Sequence, residues 1–200
     1  MNRNRFLQAC LAFGGLLAFP AARAARRARS RARAGQGFLV RAGQDRANRP
    51  QSLFDGDTFL TKIAAADTAG DLYVFESTRL KEGGPAHHYH FDQDEWWYVL
   101  AGEFLIKVGD TVYEAKAGDS VFGPRMVPHS FAKVGPAAGR LLMIFQPAGK
   151  MEECFRLISQ GATRNMSEAE QDASREAHGF RRVGPPLRQA RPMTGGAGAK

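Results

Sequence analysis

The sequence predicts an all-β domain, a barrel or sandwich, with short helices at its C-terminal end. From about residue 52, apolar and β-branched runs of five to ten residues recur, broken by Gly, Asp and Pro. Strands this short, at spacings near ten residues, are the signature of sandwiches and barrels. A doubly wound α/β fold would need a helix between most of them, and no such helical period is present. The segment VGDTVYEAKAGDS adds a second observation, two tight turns at Gly109-Asp110 and Gly118-Asp119. They predict three successive strands joined as an antiparallel meander.

Residues 1–34 precede this domain as a leader carrying eight arginines and no acid. The basic start MNRNRF, the apolar run LQACLAFGGLLAFPA and the small residues at Ala22-Arg23-Ala24 resemble a secretory signal peptide. NRNRFLQ also resembles a twin-arginine signal whose arginines are split by Asn4. The apolar run is too short to span a bilayer comfortably, so no membrane span is expected in the mature protein. The expectation is a periplasmic or secreted protein cleaved near Ala24 or before Gly35. The run RAARRARSRARAG at 23–35 argues the other way, because positive charge after a signal core impedes translocation. If the leader does not function, the protein is cytoplasmic and the run is a basic arm.

The formal charge of +8 resides in that leader, since residues 35–200 hold twenty Lys/Arg against twenty Asp/Glu. A nucleic-acid binder carries its charge on the folded domain, so no specific nucleic-acid partner is expected. The two cysteines define no disulfide framework. Cys10 lies in the leader, and Cys154 reads as a small buried hydrophobe.

Residues 35–51 read as a linker or first edge strand, and 52–160 as the β domain. Its strands are FLTKIAA (59–65), DLYVFESTRL (71–80), EWWYVL (95–100), EFLIKVG (103–109), TVYEA (111–115), DSVFG (119–123), HSFAKV (129–134) and RLLMIFQP (140–147). KMEECFRLIS (150–159) places Met151, Cys154 or Phe155, and Ile158 on one helical side. Residues 161–184 hold one further short helix, opened by a capping box of Ser167 and Glu170. From Pro185 to residue 200 the Gly-, Pro-, Arg- and Ala-rich tail is expected to be disordered.

The chemistry concentrates in GGPAHHYHFDQDEWWYVLAGE, residues 83–103. On a strand His88 and His90 share a face and His87 takes the other. Two imidazoles so placed can converge on one ion. Glu95, at the start of the next strand, and His129, after the PRMVP turn, are in position to join them. A crowded surface loop without any ligand is the alternative. The apolar strands on both sides weigh against it, because burying unpartnered polar groups costs a few kcal/mol each.

These residues carry a resemblance. Residues 84–134 are similar to the core of the cupin superfamily, in particular its small single-domain members. The first cupin motif, G(x)5HxH(x)3–4E(x)6G, is matched by His88, His90, Glu95 and Gly102, with its leading glycine displaced to Gly83. The second, G(x)5PxG(x)2H(x)3N, is matched by Gly118, Pro124 and His129, and departs at Met126 and Lys133. The resemblance implies a double-stranded β-helix, or jelly-roll barrel, and one divalent metal ion held by His88, His90, Glu95 and His129. Fe, Mn, Ni, Cu, Co and Zn all suit that set.

Within the superfamily the first motif resembles that of the quercetin (flavonol) 2,3-dioxygenases. That implies an O₂-dependent dioxygenase acting on an aromatic or enediol small molecule, with Glu95 as both ligand and catalytic base. A non-catalytic binding or sensing cupin and a metal-dependent isomerase are the alternatives. Trp97, Phe104, Met126 and Phe131 are expected around the pocket, with Met126 at its mouth. Trp96 and Tyr98 face outward and suggest a homodimer interface.

Overall fold

The computed structural model describes residues 36–53 and 56–187. The leader and most of the expected tail therefore lie outside the described residues. Among the described residues, eleven strands form two antiparallel sheets. They are β1 (Gln51–Leu53), β2 (Asp57–Ile63), β3 (Tyr73–Arg79), β4 (Ala86–His90), β5 (Asp94–Ala101), β6 (Glu103–Val108), β7 (Thr111–Lys116), β8 (Ser120–Gly123), β9 (His129–Val134), β10 (Gly139–Gln146) and β11 (Phe180–Pro186). One sheet runs β1-β2-β3-β10-β5-β8 and the other β11-β4-β9-β6-β7. Helices α1 (Met151–Ser159) and α2 (Glu168–Ala177) follow β10. The architecture is the all-β jelly roll of the cupin fold.

The period-2 alternation places the core. Along β5, Glu95, Trp97 and Val99 are buried, while Trp96, Tyr98 and Leu100 face out and are half-buried. β3 and β10 repeat the pattern inward with Tyr73, Phe75, Leu141, Met143 and Phe145. Five rings, Phe59, Tyr73, Phe75, Phe145 and Phe155, stack or meet edge-on at centroid spacings of 4.5–6.4 Å. α1 closes this end of the barrel by burying Met151 and Cys154 and packing Phe155 and Ile158 on the same core. Burial pushes the Cys154 thiol up to about 12, so it is a packing residue.

The expected meander is corrected. β6 and β7 form the hairpin turned at Gly109-Asp110, but β8 leaves for the other sheet and pairs with β5, Trp97 opposite Val121. The Gly118 amide donates to the Val99 carbonyl at 2.9 Å, and the Val99 amide to the Asp119 carbonyl at 2.9 Å, so the second turn hands the chain across the barrel. A tight turn specifies reversal, not which strand receives the chain next.

Residues 180–186 are a second difference, because they form β11 against β4 where helix and then tail were expected. FRRVGPP conceals its strand character. Arg182 alternates with exposed Val183, inverting the usual pattern, and Asp172 and Glu168 of α2 neutralise Arg182 at 2.7 and 3.2 Å. α2 itself opens on the expected capping box, Glu170 accepting from the Ser167 amide at 2.8 Å.

Candidate metal centre

Two glycines bring the first ligand strand to the second. A Cβ at Gly84 would lie 1.7 Å from the Phe131 carbonyl oxygen, so only glycine lets the chain cross β9 there. Gly83 exchanges hydrogen bonds with Lys133 at 3.0 and 2.9 Å, and β4 then runs antiparallel to β9 with His88 directly opposite His129. Glu95 enters from the facing sheet. The ligand atoms of His88, His90, Glu95 and His129 all lie within 4.8 Å of one another. His87 projects away and meets the Ser130 hydroxyl at 3.2 Å.

The hydrogen bonds define what these atoms can do. His88 Nδ1 lies 2.7 Å from the Ala86 carbonyl oxygen, and His129 Nδ1 lies 2.9 Å from that of Val127. A carbonyl only accepts, so both Nδ1 atoms carry a proton, and each ring in its neutral form presents a bare Nε2 lone pair. His129 Nε2 sits 3.1 Å and His90 Nε2 3.2 Å from the same oxygen, Glu95 Oε2. His90 Nδ1 is buried without a hydrogen-bond partner among the described residues. Lone pairs aimed at a buried carboxylate oxygen repel unless a proton or a cation lies between them. Burial, with His90 and His129 adding like-charge repulsion, pushes His88 down to about 3. Burial also raises Glu95, but its close contacts with the His129 and His90 rings outweigh it and hold the carboxyl at about 2. The set is three imidazoles and one carboxylate.

That donor set fits a divalent ion. Ligands at ~2.0–2.2 Å from one centre lie at most ~4.4 Å apart, so the widest separation here needs to close by only a few tenths of an ångström. Held there, an ion would supply Lewis acidity and open coordination positions beside His88, Glu95 and the cavity they border.

The cavity measures about 210 Å³ and is lined mainly by apolar side chains, including Leu53, Phe59, Phe131, Met143, Phe145 and Phe180. Of the expected pocket residues, Phe131 lines it. Trp97 does not; its ring meets His129 edge-on at 5.3 Å and supports that ligand from the core. Phe104 is buried toward Gly139 and Lys133 at the other end of β9. Met126 is 58% exposed on an outer loop, so it does not cover the mouth. Met126 holds φ +63°, the left-handed conformation in which glycine is unstrained, with its amide donating to the His90 carbonyl at 2.8 Å. Lys133 is buried and donates its Nζ to the Gly135 carbonyl.

Sequence reasoning missed three contributors. Phe180, on the unforeseen β11, packs at 5.5 Å from the His88 ring and 5.4 Å from that of His90. Arg79 and Asp57 line the cavity as an ion pair at 2.7 Å. The period of β3 places Arg79 on the face of Tyr73, Phe75 and Ser77, which is the signal that could have found it.

Comparison with known proteins agrees with this architecture. Residues 75–145 match the family described as Cupin domain. The chain is 29% identical over 96 residues to Protein SchB of Streptomyces halstedii, covering 46% of this chain and 66% of that one. It spans 53% and 66% of the lengths of the curated relatives it matches. A predicted oxalate decarboxylase of Thermotoga maritima superposes with a TM-score of 0.50 at 16% identity, over 55% of this chain and 99% of that one. An RmlC-like cupin of Shewanella frigidimarina superposes with a TM-score of 0.46 at 21% identity, over 59% and 96%. The family match and the fold support the cupin superfamily. The described residues form a jelly roll with a His₃Glu cluster that could hold a metal ion.

Proposed function

We propose that this domain is a divalent-metal enzyme that uses O₂ to cleave a small oxygenated ring or enediol compound. The observation that carries the proposal is the His₃Glu cluster at one wall of an apolar cavity, with His88 and Glu95 belonging to both. Apolar walls orient a ring, exclude bulk water and strengthen electrostatic interactions at the cluster. The cavity volume lies below the ~300–1,000 Å³ typical for drug-sized ligands. It therefore favours a single ring over the three rings of a flavonol. Glu95, with its acidity held near 2, serves as an anionic ligand and is a weak base, so its ligand role is the better supported of the two.

The test is O₂ uptake by protein reconstituted separately with Fe(II), Mn(II), Ni(II) and Cu(II), given catechols, enediols and a flavonol. Uptake with a single-ring substrate is expected. Tight binding of a panel member without uptake under any metal would favour a binding module instead.

Export through the leader and pairing of two copies across Trp96, Tyr98 and Phe122 complete the proposal. Intact-mass measurement on native material tests the first, with cleavage near Ala24 or before Gly35 expected.

A further inference from the structure

The wall of the cavity carries an ion pair that neither the barrel nor the metal cluster requires. Arg79 and Asp57 are 12% and 10% exposed and both border the cavity. The Arg79 guanidinium lies 4.9 Å from the Phe131 ring centroid, so an aromatic face pins its plane. Its Nη2 reaches Asp57 Oδ2 at 2.7 Å, while its Nε is buried with no acceptor among the described residues. A buried pair in an apolar wall rarely repays its desolvation against well-packed hydrophobic side chains.

The charge balance of the lining points further. Three arginines, Arg79, Arg175 and Arg182, border the cavity with two acids, Asp57 and Glu95. Glu95 is committed to the histidines. Arg175 and Arg182 are more exposed and engaged by Asp172 and Glu168 on α2. Arg79 is the deepest of the three.

We propose that Arg79 is a specificity-determining residue that receives the carboxylate of a small, single-ring organic acid, while the metal cluster handles the molecule's oxygenated end. This rests on the metal-enzyme reading above and narrows its substrate class. A planar guanidinium presents paired donors that match a carboxylate and do not match a neutral amide, which lacks the charge. Asp57 holds the fork in orientation, and the apolar walls take the ring.

The experiment compares matched probes on the full chain by calorimetry: benzoate with benzamide, phenylacetate with phenylacetamide, 3-phenylpropanoate with 3-phenylpropanamide. The three lengths vary the reach from ring to carboxylate. On zinc-loaded protein, one carboxylate should bind about tenfold or more tightly than its amide. Arg79→Gln should bring that pair to near equality, and Arg79→Lys should keep part of the preference. Where Arg79→Gln fails to fold because Asp57 loses this cation, Asp57→Asn/Arg79→Gln removes both charges and serves as the variant.

Repeating the titration on chelator-treated protein separates the two readings. A carboxylate preference that survives metal removal and is lost in the Arg79 variants supports the proposal, whatever the metal content proves to be. A preference that survives in the Arg79 variants and vanishes with the metal would mean the carboxylate goes to the ion, and would overturn it. Absence of preference in all three pairs, or its loss in Arg182→Gln alone, also overturns it. Failure to take up metal, measured by elemental analysis, bears on the enzyme reading alone.

Discussion

His129 Nε2 lies 3.1 Å from Glu95 Oε2 while its Nδ1 lies 2.9 Å from the Val127 carbonyl oxygen. A neutral imidazole can donate to only one of these acceptors. The backbone carbonyl, held by the turn before β9, fixes the tautomer and leaves Nε2 a lone pair facing a carboxylate. With His88 oriented the same way by Ala86, a cation is the simplest occupant of the space between.

Metal content should follow that geometry. Protein made without an affinity tag should carry close to one divalent ion per chain by elemental analysis. His88→Ala and His129→Ala should each lose most of it, and His87→Ala should retain it. Equal loss from His87→Ala and His88→Ala would contradict the strand register.

Acid should destabilise the metal-free protein in a defined window. His88 is lowered from 6.5 to about 3 and Glu95 from 4.5 to about 2. For both groups the unfolded chain binds protons at a higher pH than the native one, so stability rises with pH between the two values. The His88 contribution is complete above ~6.5 and declines from there toward ~3, and that of Glu95 declines between ~4.5 and ~2. Urea midpoints at pH 7 and 5.5 should differ in the native sequence, and His88→Asn should flatten that difference.

Met126→Gly should stabilise the domain by ~1 kcal/mol, because a non-glycine residue at positive φ carries ~1–2 kcal/mol of strain. Metal content should not change. An unchanged or lowered urea midpoint would show that contacts of the Met126 side chain offset the strain.

Gly84→Ala should act in the opposite direction. Its Cβ would overlap the Phe131 carbonyl oxygen, and no side-chain rotation can relieve a clash with backbone. A loss of ~3 kcal/mol is expected, at the upper end of overpacking costs. Metal content should fall with it, since the crossing aligns His88 with His129.

Trp96→Glu should convert a dimer to a monomer. Trp96 and Tyr98 are half-buried on the outer face of their sheet, and Phe122, opposite Trp96, is 57% exposed there. Sedimentation velocity of the two proteins would decide it, and a native monomer would remove the proposed interface.

The sequence by itself determined most of the barrel's strands and the His₃Glu cluster. HxH at spacing two places His88 and His90 on one face of any strand, and Glu95-Trp97-Val99 repeats the same period into the core. Those are local properties of the backbone, and they survive whatever the strands do next. Local pattern was silent on which sheet receives a strand after a tight turn, and only the tertiary structure sent β8 to β5.

The same limit hid β11. Arg182 faces inward only because Asp172 and Glu168, brought close by the fold of α2, neutralise it. The pocket followed suit. Trp97 and Phe131 share the inward period, yet one supports a ligand from the core and the other lines the cavity, and α1 and Phe180 help to set the cavity's walls. Periodicity assigns a side chain to a face; what it meets there depends on segments distant in sequence, and that the packed structure decided.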